Sequence, residues 1–139
     1  LGVALILPLQ TDFTNSERIK QDRLQDHAIE AAEQCGGTFV PKVADLSRLE
    51  KLLSNWPGDR FLLFCDEGKV GERVEFQDLP IGKWAILLGP EGGFSEKERK
   101  YIRAMQNSFS LSLGPRILRA DTAAVAALTL WQNALGDWT

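Results

Sequence analysis

Apolar residues in this chain gather in short runs, and polar stretches of helical period separate them. The runs at residues 3–8, 39–43, 60–65, 84–88 and 109–113 have the length and content of strands, and the opening run reads as a buried one. Residues 15–34 are mostly polar. Ile19, Arg23, Leu24, His27, Ala28, Ala31 and Ala32 recur there at helical spacing, which predicts a long helix burying a narrow stripe. A shorter helix is expected from Asp45, a residue suited to capping, and stops before Pro57 and Gly58. Residues 66–82 are polar and punctuated by glycine, and read as a loop with a strand fragment around Val74. Ser95 and Glu98 form an S-x-x-E capping box that opens the next helix. The last helix, Ala120–Leu135, is alanine-rich and apolar on most faces, so it should lie sandwiched against the sheet or against a partner subunit. Strands alternating with helices in this order predict an α/β fold with a mainly parallel sheet flanked by helices.

Composition narrows the classes. A chain of 139 residues, 44% hydrophobic, is long enough for a core and reads as one compact domain. Its formal net charge of -3 excludes a chain that binds nucleic acid through overall positive charge; any such contact must come from a local patch. The two cysteines, Cys35 and Cys65, are far apart, and with the lone His27 they offer no zinc-ligand spacing, so no metal is expected. Both read as reduced, partly buried thiols of a cytoplasmic protein. The opening run is too short to span a bilayer and has no basic flank, so no membrane association is expected. The chain starts at Leu1, without Met, inside that apolar run, which points to a longer parent protein.

Two segments carry candidate chemistry. In "LLGPEGGFSEKE" a strand ending at Leu88 runs into Gly89, Pro90, Glu91, Gly92 and Gly93, then into the capped helix. Glycines there permit positive φ and let a ligand approach the main chain, and in parallel α/β sheets ligands bind outside the carboxyl ends of strands. The segment lacks both the G-K-[ST] ending of a phosphate loop and the G-x-G-x-x-G fingerprint. A tight turn with no ligand is the competing reading. The second segment, "LSLGPRILRADTAA", repeats the plan: Leu111 and Leu113 lead into Gly114, and Ile117 and Leu118 stand between Arg116 and Arg119, before Asp121. Two such loops can pinch one small ligand. Apolar side chains beside exposed amides suit an adenine ring, and the arginines suit a polynucleotide phosphate. Surface pairing of Arg119 with Asp121 is the plainer alternative. Lys97, Arg99, Lys100 and Arg103 offer a basic cluster on the capped helix, and with Glu96 and Glu98 interleaved they equally fit a solvated face.

These two segments, with "EAAEQCGGTFVP" upstream, resemble the ribosomal RNA small subunit methyltransferase E family of the SPOUT superfamily, over nearly the whole chain. The resemblance implies S-adenosyl-L-methionine as cofactor and methylation of N3 of a uridine in 16S ribosomal RNA, with the small ribosomal subunit as partner. It implies a homodimer and a C-terminal deep trefoil knot, a rare topology. It also implies that residues 1–139 are the methyltransferase domain without its first strand and helix, and that an N-terminal PUA-like RNA-binding domain is absent from this chain. By position, Leu88, Gly89, Glu91, Gly92, Gly93, Leu111, Leu113, Gly114, Ile117 and Leu118 would hold the cofactor, with Arg116, Arg119 and Asp121 on the substrate side. Three positions depart from the family pattern: Gly37 stands where an arginine is common, Asp121 where glutamate is, and Leu24 where tryptophan is. The first touches an RNA contact, and the second shortens a carboxylate by one methylene.

Uracil N3 must lose its proton before it can attack, and a cation beside O2 or O4 stabilises the anion that results. Arg116 and Arg119 fit that role, and Glu91 or Asp121 could accept the proton if within hydrogen-bond reach. Two other readings stand beside this one. One is methylation of a ribose 2′-hydroxyl by the same superfamily, and the other a non-catalytic RNA-binding module.

Overall fold

The structure is a computed structural model and describes residues 1–15, 18–69 and 76–138. The strand fragment expected around Val74 lies outside the described residues. Contacts divide the chain into two compact units, Gly2–Ser54 and a second made of Leu1 with Asn55–Thr139.

In the first unit the opening apolar run is not one buried strand. It is split into β1 (Leu5–Ile6) and β2 (Leu9–Gln10), and Leu5, Ile6 and Leu7 are exposed. Pro8 sits between the pieces and has no N–H to offer a ladder. Helix α1 is Gln21–Gln34, starting later than the polar period predicts, and Lys20 before it gives no side-chain cap. Of the expected stripe only Ala28 is buried. Two glutamines dock this helix. Gln25 Oε1 accepts from Val43 N at 2.8 Å and Gln25 Nε2 donates to Pro41 O at 3.0 Å, while Gln21 Nε2 donates to Val43 O at 2.6 Å. They satisfy backbone groups of the short β3 (Lys42–Val43), which pairs in parallel with β1. The rest of the expected strand at 39–43 is irregular, with Phe39 61% exposed. Pro41 interrupts it. Asp45 does not cap a helix either. Ser47–Arg48 forms β4, parallel to β2, and helix α2 is only Leu49–Ser54.

The second unit holds a three-stranded parallel sheet of β5 (Arg60–Cys65), β6 (Lys83–Leu87) and β7 (Ser108–Leu111), ordered β6-β5-β7. Leu62 pairs with both Ala85 and Ser108, and Phe64 with both Leu87 and Ser110, so the carboxyl ends of all three strands reach one edge. Successive β5 side chains point to opposite faces. Leu63 and Cys65 join Trp84, Leu111 and Ala127 in one buried cluster, bordered by Phe61, Phe109 and Trp131. On the other face Phe64, fully buried, meets the ring of Phe94 edge-on at 5.1 Å. Burying a side chain of that size contributes about 2–3 kcal/mol. Among the described residues of 66–82, a stretch expected as a loop, are two single 3₁₀ turns, Glu67–Lys69 and Phe76–Asp78.

Helix α3 (Glu96–Ala104) starts as its sequence predicts. Ser95 Oγ accepts from Glu98 N at 3.2 Å, and Glu98 Oε2 accepts from Ser95 N at 2.9 Å. Helix α4 (Ala120–Leu135) has the expected bounds and packs on the Leu63 face through Ala127. It is not sandwiched on all sides in this chain: Val125 is 57% exposed and Leu130 43%. Among the described residues, no helix is long and apolar enough to cross a membrane.

Candidate functional site

The shared carboxyl edge of the sheet opens into a pocket of about 290 Å³, lined from three directions. The β6 loop contributes Leu88, Gly89, Pro90 and Glu91; β7 and the segment after it contribute Leu111 to Gly114 and Arg116 to Arg119, with Ala120 and Ala123 from α4. The end of β5 contributes Cys65, Asp66 and Glu67. The two glycine segments therefore do meet around one cavity, because β5 separates β6 from β7 by a single strand.

Glycine is needed at specific points. Gly89 takes the close approach of Phe94, whose ring lies 2.7 Å from where a Cβ would stand. Gly93 has φ +69°, and a Cβ there would fall 2.6 Å from Glu67 Oε2. Gly114 has φ +105° in open space, where the segment turns with Ser112 Oγ accepting from Gly114 N at 3.4 Å.

Of the expected cofactor contacts, Leu88, Gly89, Glu91, Leu111, Leu113, Gly114, Ile117 and Leu118 line the pocket. Gly92 and Gly93 do not line it, and Gly93 supports it from behind by leaving room for Glu67. Arg116 and Arg119 are on the lining; Asp121 is not. The Asp121 carboxylate is exposed at the start of α4 and accepts from Thr122 N at 2.8 Å, as a first-turn acid does. The partner of Arg119 is Glu91 of the opposite loop, at 4.0 Å, with both side chains more than 80% exposed.

The end of β5 is the part that sequence reading missed. Asp66 has no exposed side-chain surface, and its Oδ2 accepts from Arg103 Nε at 2.7 Å while Oδ1 accepts from Gly68 N at 2.9 Å. Glu67 lies 3.6 Å from Arg99 Nη2. Arg99 and Arg103, one turn apart on α3, thus face two successive carboxylates and do not form the outward basic cluster considered above; Lys97 and Lys100 remain. Burial pushes the Cys65 thiol up to about 12, so it lies beside the pocket as a neutral group and not as a nucleophile. Cys35 is a free thiol too, and is exposed where partial burial was expected. The signal for this third wall is the acidic pair directly after an apolar strand, but only the strand order shows that the strand is central.

The model of the RNA methyltransferase domain family matches residues 1–132. The chain belongs to that family. This RNA methyltransferase domain is 37% identical over 117 residues to the ribosomal RNA small subunit methyltransferase E of Bacillus subtilis strain 168, covering 79% of the chain and 45% of that protein. The enzyme of the same name from Rickettsia conorii is 30% identical over 131 residues, covering 92% of the chain and 53% of that protein. The resemblance seen in the two glycine segments is thus borne out. Among solved structures, a methyltransferase of Legionella pneumophila described with its bound cofactor SAM superposes with a TM-score of 0.84 at 30% identity, over 98% of this chain and 57% of that one. A ribosomal RNA small subunit methyltransferase E of Neisseria gonorrhoeae bound to S-adenosyl methionine gives 0.80 at 30% identity, over 99% and 58%. The domain spans about half the length of the curated relatives it matches.

Proposed function

We propose that this domain binds S-adenosyl-L-methionine in the pocket at the sheet's carboxyl edge and methylates N3 of a uridine in 16S ribosomal RNA. The observation that carries the reading is the convergence of both glycine segments on one cavity whose apolar residues, Leu88, Leu113, Ile117 and Leu118, suit the faces of an adenine ring. Ile117 is 76% exposed while lining it, an apolar lip that a ring would cover. The named relatives and the two SAM-bound neighbours support the choice of cofactor and of ribosomal RNA.

When bound, the cofactor supplies an electrophilic methyl group on sulfur. The chain's own residues have two tasks, to hold the uracil in line with that methyl and to manage the N3 proton. Arg116 and Arg119 at the pocket offer cations to the uracil oxygens, where negative charge gathers once N3 is deprotonated. Glu91, exposed on the facing β6 loop, is the carboxylate this reading assigns to accept that proton. Asp121, held at the start of α4, serves the helix. N3 is on the Watson–Crick edge, so the target base must be unpaired or extruded.

The outward Val125 and Leu130 of α4 offer an apolar face to a second copy, in keeping with a cytoplasmic homodimer. The segment from β7 into α4, which would be threaded in a trefoil knot, is the one that closes the pocket. Regions of the relatives outside the matched half leave room for the N-terminal RNA-binding domain.

Calorimetric titration with S-adenosyl-L-methionine, and with ATP as a control, tests the cofactor. Saturable binding of the first alone is expected. The substrate is tested by incubating small ribosomal subunits that lack the modification with this domain and labelled cofactor, then digesting the RNA. Label in 3-methyluridine is expected, and label in a 2′-O-methyl nucleoside would replace this reading with the ribose one.

A further inference from the structure

The pocket contains three carboxylates, and their surroundings differ. Asp66 is fully buried and accepts from Arg103 and Gly68, so its acceptor capacity is engaged. Glu91 is 81% exposed and competes with water for any partner. Glu67 has 33% of its side-chain surface exposed, and its one ionic partner among the described residues, Arg99, is at 3.6 Å, beyond hydrogen-bond length. Arg99 itself keeps a buried Nε with no partner. Glu67 is therefore a sheltered carboxylate with unused acceptor sites on the lining of the cavity. The backbone makes room for it: Gly93 adopts φ +69°, and a Cβ there would fall 2.6 Å from one Glu67 oxygen and 3.0 Å from the other.

Resting on the cofactor reading above, we propose that Glu67 is a specificity-determining residue that accepts hydrogen bonds from the ribose hydroxyls of the nucleoside cofactor. A carboxylate has only acceptors, so its ligand must bring donors, and a vicinal diol presents two that match its two oxygens. Glu67 follows the central strand, between the two loops whose apolar residues suit a base, and in a nucleoside the sugar is bonded directly to the base. An acid after a parallel strand holds a ribose hydroxyl in dinucleotide-binding folds by the same chemistry.

The test is a thermodynamic cycle. The 139-residue chain, its Glu67→Ala variant and its Glu67→Gln variant are titrated with S-adenosyl-L-homocysteine and with its 2′-deoxyribose counterpart. The unsubstituted protein is expected to bind the ribose form roughly 10-fold or more tightly than the deoxy form, as a hydrogen bond to a charged group gives. In Glu67→Ala that preference should shrink to under about 3-fold, with the deoxy form, which keeps its 3′-hydroxyl, weakened less than the ribose form. Glu67→Gln keeps the volume and should fall between. Equal weakening of both ligands, or an unchanged preference, overturns the ribose assignment while leaving the cofactor reading intact. Failure of the unsubstituted protein to bind either ligand overturns both.

Discussion

Arg103 on α3 closes on Asp66 at the end of the central strand, its Nε 2.7 Å from a carboxylate oxygen that has no exposed surface. The pair fixes the helix that follows the β6 loop to the strand that forms the pocket's third wall. Removing one partner leaves a buried charge without compensation, which is costlier than removing both. Arg103→Met should lower unfolding stability by about 3 kcal/mol, and the Asp66→Asn, Arg103→Met double variant by clearly less than the sum of the singles. Denaturant titration of the four proteins checks this. Strict additivity would mean that the contact carries no coupling.

Gly93 and Glu67 form a second coupled pair. Gly93→Ala places a methyl in the left-handed region and against a carboxylate, and should cost about 1–3 kcal/mol. Combined with Glu67→Ala, which clears the obstacle, the penalty should drop towards the backbone part alone, about 1 kcal/mol. Thermal unfolding of single and double variants separates the two contributions.

The two thiols should behave as a slow and a fast site. An aromatic disulfide reagent at neutral pH should modify the exposed Cys35 within seconds and leave the buried Cys65 unmodified while the protein stays folded. Cys65 also gives stability a pH dependence of known sign. Its pKa is raised from 9.0 to about 12, so the folded state keeps a proton that the unfolded chain releases. The contribution is fully present below about pH 9 and is lost above it at about 1.4 kcal/mol per pH unit. Between about pH 9 and pH 10.5 the parent should lose about 2 kcal/mol more than Cys65→Ala. Parallel curves for the two proteins would contradict the burial of this thiol.

At the rim the expectation reverses. Arg119 and Glu91 are 4.0 Å apart and almost fully exposed, so Arg119→Ala should leave unfolding unchanged within about 0.5 kcal/mol. Under the proposed function, turnover on the small ribosomal subunit should nonetheless fall by about 100-fold, the scale of losing one group that stabilises developing charge. Full turnover in Arg119→Ala would remove this arginine from the mechanism.

The capping box at Ser95, the span of α4 and the strands around residues 62, 85 and 109 were legible because local chemistry alone dictates them. The two glycine segments were legible as partners because each follows a strand in a parallel arrangement. In the first unit the reading lost accuracy where tertiary contacts overrule local preference. Ser47 and Arg48 carry a helical pattern and are drawn into pairing with Leu9 and Gln10, and Pro8 and Pro41 break runs whose composition alone looks continuous. Asp66 and Glu67 were invisible as site residues for another reason. Their place depends on β5 lying between two strands that come later in the chain, which no local pattern encodes. Asp121, assigned to the substrate side by resemblance, lies off the cavity lining at the start of α4, a placement that no local pattern encodes.

That same strand order sets a schedule for the molecule's assembly. Of these three strands the central one emerges first, its neighbour on one side next, and the strand on its other flank last, after α3. Contacts between segments so far apart are slow to close. The cavity walls come from residues 65–67, 88–91 and 111–123, so a nascent chain has most of its hydrophobic sheet in place before it has a cavity. Ligand capture is then open only to chains that have finished folding, and a ligand that binds only those chains draws the population toward them by mass action.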